Sequence, residues 1–350
     1  MNTFLKKIGL ETFIPFVLIL LLFSYFVSYN QIRRKILVIH SYYTDYSWVV
    51  DLNKGLSSVL SDYDSLKVEY YYMDTKRHTE DQYKEKVGFE ARRLIDMLQP
   101  DVVITFDDDA QTHVTSYYRN HPSISFVFAG VNADIEDYDF DKANNITGIM
   151  ERLPLEGVHD TLVEMAKRNN IKNPLRVQHI SSSARTVKLD DDYLHAYQGW
   201  GEVVIKPSRL VNTFLEWKKA ILDATNESDF ILISNYRKIA FSETNHALVP
   251  PEEIMKWTVE NTRVPILGLN TFVVEDGGPL AIATSGYEQG EIAGKMALKI
   301  LYEKIPASQI SIEKPKQFVV SMRPKLMEKF SIKLPEIYYA FARIAHKYFE

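Results

Sequence analysis

Lys35–Trp48 reads KILVIHSYYTDYSW. Ile36, Leu37, Val38 and Ile39 form the short apolar run that a strand buried on both faces requires. The chain then changes character at once. From His40 to Trp48, nine positions hold hydroxyls, a carboxylate and four aromatic rings: Ser41, Tyr42, Tyr43, Thr44, Asp45, Tyr46 and Trp48 among them. A turn that only joined a strand to a helix would not need such side chains. In open α/β sheets, ligands bind beyond the carboxyl ends of the strands. The stretch therefore predicts a parallel sheet with one wall of a small-molecule site at its edge.

Working outward, apolar runs alternate with amphipathic ones. Trp48–Leu60 places Val49, Leu52, Leu56, Val59 and Leu60 on one helical face. Strands are expected at 67–72, 102–106 and 124–128, with helices at 79–98 and 110–119. This βαβ rhythm is the signature of a doubly wound parallel sheet. A second round starts near Gly148. It has helices at 155–169, 213–225, 251–261, 287–303 and 335–347, and strands at 175–180, 230–234 and 265–269. The expected fold class is α/β, with two doubly wound parallel-sheet lobes. No element is assigned to Ser181–Val204.

Composition narrows the function. With 350 residues, 46% hydrophobic and 25% charged, the chain can bury more than one core. A net charge of −5 argues against a nucleic-acid partner, which calls for a basic face. The absence of cysteine excludes disulfides, thiolate metal sites, a cysteine nucleophile and a lipid-bearing Cys. Lys6 and Lys7 precede the uncharged run FIPFVLILLLFSYFV at 13–27. Extended to residues 12–29 it is long enough to cross a bilayer. It lacks the small residues of a cleavage site, so an uncleaved N-terminal membrane helix is expected.

The strand ends carry the polar groups. Val102–Phe106 runs into Asp107, Asp108 and Asp109. Three adjacent carboxylates call for a positive partner: a ligand ammonium, a metal, an arginine or a helix N-terminus. Asp109 reads best as a helix cap; Asp107 and Asp108 are the ligand candidates. The next strand closes with Gly130, which permits close backbone approach, and Asn132, which both donates and accepts. In the second round the ends are His179–Ser183, Asn235–Tyr236 and Asn270. The motifs of a P-loop, a zinc protease, a nucleophile elbow and a dinucleotide fold are missing. No catalysis, cofactor or metal is expected.

These residues resemble a known family. ILVIHSYYTDYSWVVDLNKGL at 36–56, YYYMDTKRHTEDQY at 70–83, PDVVITFDDDAQTHV at 100–114 and FVFAGVN at 126–132 carry the likeness. NITGIMERLPLEG at 145–157 and VPILGLNTFVVEDGGPLAIATSGYEQGEIAGKMALKIL at 264–301 continue it. In order and spacing they are similar to the ABC-type substrate-binding proteins of the type I periplasmic-binding-protein fold, a group also found as sensory ectodomains of bacterial receptors.

The resemblance implies two lobes around a hinge, 36–149 with 285–310 and 150–284 with 311–334, followed by a C-terminal helix at 335–350. It implies an extracytoplasmic location and a small polar ligand, such as an amino acid, trapped by closure. Partners would be an ABC permease or, alternatively, a separate membrane receptor kinase or cyclase. The ligand wall would comprise Ser41, Tyr42, Tyr43, Tyr46, Trp48, Asp107, Asp108, Gly130, Asn132, Asn235, Tyr236 and Asn270. The rings would enclose the ligand and an aspartate would pair with its amino group.

Overall fold

The computed structural model describes residues 14–22, 24 and 34–350, with Arg185 and Thr186 described in backbone only. The apolar run of β1 (Arg34–His40) does become a central strand. It pairs in parallel with β2 (Leu66–Tyr72) on one side and β3 (Val102–Phe106) on the other. β4 (Ser125–Val131) and β5 (Ile146–Met150) complete a five-stranded, all-parallel sheet in the order β2-β1-β3-β4-β5. Leu37, Ile39 and Val103 face one core, packed by the Asp81–Leu98 helix. Ile36, Val38, Val102 and Ile104 face the other, under the Ser47–Leu60 and Gly286–Leu298 helices. Both faces are covered, which is why the strands carry no polar alternation.

The second lobe repeats the plan. β6 (Leu175–Ser182), β7 (Val203–Val211), β8 (Phe230–Ile233), β9 (Ile266–Gly268) and β10 (Leu280–Thr284) are parallel in the order β7-β6-β8-β9-β10. One strand breaks the expected all-parallel pattern. β11 (Phe318–Met322) runs antiparallel to β10 at the edge. The connection through the first lobe, which holds the Gly286–Leu298 helix, returns the chain along β10 in the opposite sense. The unassigned stretch 181–204 holds the Arg185–Ala196 helix and leads into β7.

Strand order locates the site. In a 2-1-3-4-5 sheet the order reverses between the first and third strands, and the crevice opens there. In the first lobe that point lies between the loops after β1 and β3, which hold Ser41–Tyr46 and Asp107. In the second it lies between the ends of β6 and β8, which hold Ser182 and Asn235. The chain crosses between lobes three times, after β5, after β10 and before β11. Thr284 Oγ1–H donates to the Arg152 carbonyl at 2.9 Å, tying two crossings together. Gln289 fixes them to the first lobe: its Oε1 accepts from Gly130 N–H at 2.9 Å and its Nε2–H donates to the Met150 carbonyl at 3.0 Å.

The Ser47–Leu60 helix carries Trp48 and is seated by glycines. A Cβ on Gly290 would overlap the Leu52 carbonyl oxygen, and one on Gly55 would overlap the Tyr287 carbonyl oxygen. Backbone cannot move aside as a side chain can. Gly290→Ala is therefore expected to destabilise the protein by about 1–3 kcal/mol or more, the usual cost of overpacking. Urea unfolding of the variant checks this; an unchanged midpoint would show that the two helices slide apart freely.

The expected membrane helix is the one element of the fold class that stays open. Residues 14–22 are helical, with Phe16, Ile19 and Leu22 exposed. Among the described residues no helix is long and apolar enough to cross a membrane. The remainder of 12–29, other than Ser24, lies outside the described residues.

Candidate functional site

Between the lobes lies a cleft of about 100 Å³, lined from the first lobe by Tyr42, Tyr46, Ser47, Trp48, Lys76, Asp107 and Asn132. Asn235, Asn270, Thr271, Phe272 and Asp190 face them from the second lobe, and Glu151 and Thr284 come from the crossings. Seven of the twelve residues expected from sequence line it: Tyr42, Tyr46, Trp48, Asp107, Asn132, Asn235 and Asn270.

Asp107 is the centre of this site. It is the first residue of the Asp107–His113 helix and has φ of +66°, a left-handed conformation that aspartate tolerates better than most residues. Its Oδ1 accepts the indole N–H of Trp48 at 3.1 Å. Its Oδ2 is buried and has no hydrogen-bond partner among the described residues. A buried orphan acceptor is costly unless something else supplies a donor. Gly130, at φ +69°, makes the approach possible: a Cβ there would sit 3.3 Å from Asp107 Oδ1 and 3.5 Å from the Trp48 ring.

Two further carboxyls that the sequence reading did not single out share the cleft. Glu151 Oε2 accepts from Asn132 Nδ2–H at 3.2 Å. Burial first, then Asp190 and Asp108, push its carboxyl up to about 8. Burial pushes Asp190 up to about 7, with Arg152 opposing and Asp108 and Asp191 adding to the rise. Asp107 is driven well above the carboxylate range by burial and by Glu151, against the pull of Lys76. Three acids buried this close together cannot all ionise without a positive partner. Among the described residues no group of His, Asp and Glu is arranged to hold a metal ion.

Lys76 is the counterweight. Its ammonium lies 4.5 Å from the Tyr42 ring centre and 5.0 Å from that of Tyr46. The two rings expected to enclose a ligand thus already carry a cation from this chain. Lys76 itself makes no ion pair within 4.0 Å among the described residues, whereas Arg152 is tied to Asp134 and Arg237 to Asp276.

Five expected residues sit outside the lining, each for a structural reason. The Ser41 hydroxyl donates to the Phe106 carbonyl at 2.7 Å and accepts from Ala110 N–H at 2.9 Å, so it braces the Asp107 turn. Tyr43 lies under the Arg77 guanidinium, 4.3 Å from its ring centre, and packs behind the Tyr46 ring at 5.5 Å. Asp108 turns back into its own lobe. It accepts from Ala133 N–H at 3.1 Å, Tyr138 O–H at 2.8 Å and Asn132 N–H at 3.3 Å, and so pins the loop that presents Asn132. Gly130 is backbone support, as described. Tyr236 is fully buried beneath Phe272 and donates to Asp276 Oδ2 at 2.6 Å. Asp109 is no cap, since the helix begins two residues earlier; it pairs with Lys84 at 2.9 Å.

One buried cluster imitates catalysis. His179 Nδ1 lies 2.9 Å from Asp191 Oδ1, and its Nε2 lies 2.9 Å from Ser234 Oγ. The sequence Asp–His–Ser matches a nucleophilic triad. Ser234 is fully buried, however, and its hydroxyl donates to Ser181 Oγ at 2.8 Å. Ser181 in turn holds Asn235 N–H at 3.0 Å. The cluster positions Asn235 at the cleft; no substrate carbon can reach Ser234.

Comparison with known proteins agrees with this geometry. The model of the family described as ABC transporter substrate binding protein matches residues 219–344. This chain resembles the ABC transporter substrate-binding proteins. Solved structures match over nearly the whole chain. One is the ligand-free, open form of a substrate-binding protein with adhesive properties from Clostridium difficile, at TM-score 0.65 and 14% identity, covering 86% of this chain and 96% of that one. Another is an ABC domain in complex with L-Trp from Streptococcus pneumonia, at TM-score 0.59 and 16% identity, covering 88% and 98%. A third is an arabinose-binding protein from Geobacillus stearothermophilus, at TM-score 0.55 and 10% identity, covering 85% and 99%. At such identities the likeness shows the binding-protein fold alone. No curated protein matches the sequence at a significant level. The family description names binding and no reaction.

Proposed function

We propose that this protein captures a small amine-bearing solute, an amino acid or a close relative, outside the cytoplasm and presents it to an ABC permease. The observation that carries the reading is Asp107 Oδ2, without a partner among the described residues and buried in an interlobe cleft beside Glu151 and Asp190. An ammonium group would satisfy the orphan acceptor and the acids together. Lys76, lacking an ion pair, suits the carboxylate at the other end of such a molecule. A neutral sugar brings no charge that would favour ionisation of these acids. The hydrophobic segment at 12–29 serves as a tether in this reading and holds the binding lobes at the extracytoplasmic face of the inner membrane. Mass spectrometry tests both statements on the purified full chain. Denaturation should release an amine-bearing solute, and the intact mass should include the N-terminal segment. Release of a neutral sugar would overturn the ligand class; a mature start near residues 25–31 would overturn the tether.

A further inference from the structure

We propose that the carboxy-terminal segment is a latch: Lys347, carried by the second lobe, binds Asp51 of the first lobe and holds the cleft closed. The proposal rests on the reading of the protein as a two-lobed capture device, but not on the identity of the ligand.

The segment is firmly attached to the second lobe. The Glu336–Ile344 helix buries Ala342 in that lobe's core. Lys347 N–H donates to the Ala342 carbonyl at 2.8 Å. Met322 N–H, at the end of β11, donates to the Lys347 carbonyl at 2.9 Å, and Phe349 N–H donates to the Met322 carbonyl at 2.9 Å. From this anchored backbone the Lys347 ammonium crosses the lobe boundary. It lies 3.2 Å from Asp51 Oδ2 on the Ser47–Leu60 helix and 3.1 Å from Glu275 Oε1 on its own lobe. Lys347 is only 8% exposed. Burial works against its charge, and Asp51 and Glu275 outweigh that and raise its pKa.

The second bond across the boundary runs the other way. Ser47 Oγ–H, in the first lobe, donates to Glu275 Oε2 at 3.2 Å. Ser47 and Trp48 line the cleft one turn before Asp51, so the latch grips the helix that presents the ligand wall. Moving the Ser47–Leu60 helix away from the second lobe breaks Lys347–Asp51 and Ser47–Glu275 and leaves Lys347–Glu275 intact, because both members of that pair travel together. Glu275 thus keeps the Lys347 ammonium partnered and aimed while the cleft is open. Removing one partner of a partly buried charge pair is costly, because the group that stays behind is desolvated and less well compensated. The device acts on the equilibrium between lobe positions, so it sets affinity without touching the ligand.

The chain has no cysteine, which allows clean labelling. Asp62→Cys in the first lobe and Lys219→Cys in the second accept spin labels, and pulsed electron resonance then reads the interlobe distance in ligand-free protein. Lys347→Met and, separately, Asp51→Asn should each shift the distribution to longer separations. The double variant should shift it no further than either single one. For the solute found with the protein, release should quicken about tenfold or more with an unchanged order of preference among solutes. Distances unchanged from the parent in Asp51→Asn overturn the latch, even if Lys347→Met fails to fold. Failure of the amine reading would appear in titrations of cleft variants and would leave these distances as they are.

Discussion

Replacing Asp107 by Asn should weaken binding of an amine-bearing solute by about 30-fold to several thousand-fold. The change keeps the shape of the site. Asn tolerates the left-handed backbone that Asp107 adopts. Its side-chain oxygen can still accept from the Trp48 indole, as Oδ1 does now. What disappears is the negative charge, and Oδ2, which has no partner among the described residues, becomes a donor that faces the incoming ammonium. Removing one member of a hydrogen-bonded charge pair in a desolvated site typically costs about 2–5 kcal/mol. Calorimetric titration with the co-purifying solute measures it. Asp109→Asn is the control: its carboxylate already pairs with Lys84 near the surface, where such pairs contribute about 0–1 kcal/mol. Equal, small losses in the two variants would sink the amine reading. Asp108→Asn is a different experiment, because its carboxylate holds the Asn132–Tyr138 loop. That variant should lose stability as well as affinity.

The contrast between these three aspartates shows what could be read from the chain. Sequence places all three at the end of β3, because the apolar run Val102–Phe106 is unmistakable and the strand end must lie at a crevice. It cannot say which carboxylate faces the cleft. That depends on the turn at Asp107 and on the hydroxyl of Ser41, which braces it from β1, far away in sequence. Ser41 and Tyr236 were expected in the ligand wall for the same reason: a polar group at a strand end suits a ligand, but backbone carbonyls and buried acids take it just as well. Lys76 gave no signal at all, since a lysine in a polar loop is ordinary. Glu151 lies in a crossing that has no periodicity. Asp190 fell in the stretch left without an element. The run Asp190–Asp192 repeats the triple carboxylate of Asp107–Asp109, and that echo in the opposite lobe was the available clue.

Binding of a cationic solute should also depend steeply on pH, and in a direction fixed by the raised acids. Burial, with neighbouring carboxylates, pushes Glu151 up to about 8 and Asp190 up to about 7. Asp107 lies well above its ordinary value. The groups facing them are Asp108, Asp191, Lys76 and Arg152, so the cluster titrates as a unit. At pH 6 these acids are largely protonated, and an ammonium must expel those protons to pair with carboxylates. Affinity should therefore fall as pH drops from about 8.5 to 6. The loss is about tenfold per pH unit for each proton released, or roughly 10- to 1,000-fold in all. The amine itself stays protonated throughout if it resembles a lysine ammonium, near pH 10. Stability of the empty protein should run the opposite way. A carboxyl whose folded pKa is raised favours folding below its unfolded value near 4, and that contribution is lost as pH climbs through 7 and 8. His40, buried and lowered to about 4, has the reverse effect in a separate window, losing stability as pH falls from about 6.5. Titration calorimetry in buffers of different ionisation enthalpy counts the protons directly. One to three should be released per solute bound at pH 6 to 7. A binding constant that is flat across this range, with no proton release, would mean that the acids of the cleft do not meet the ligand's charge.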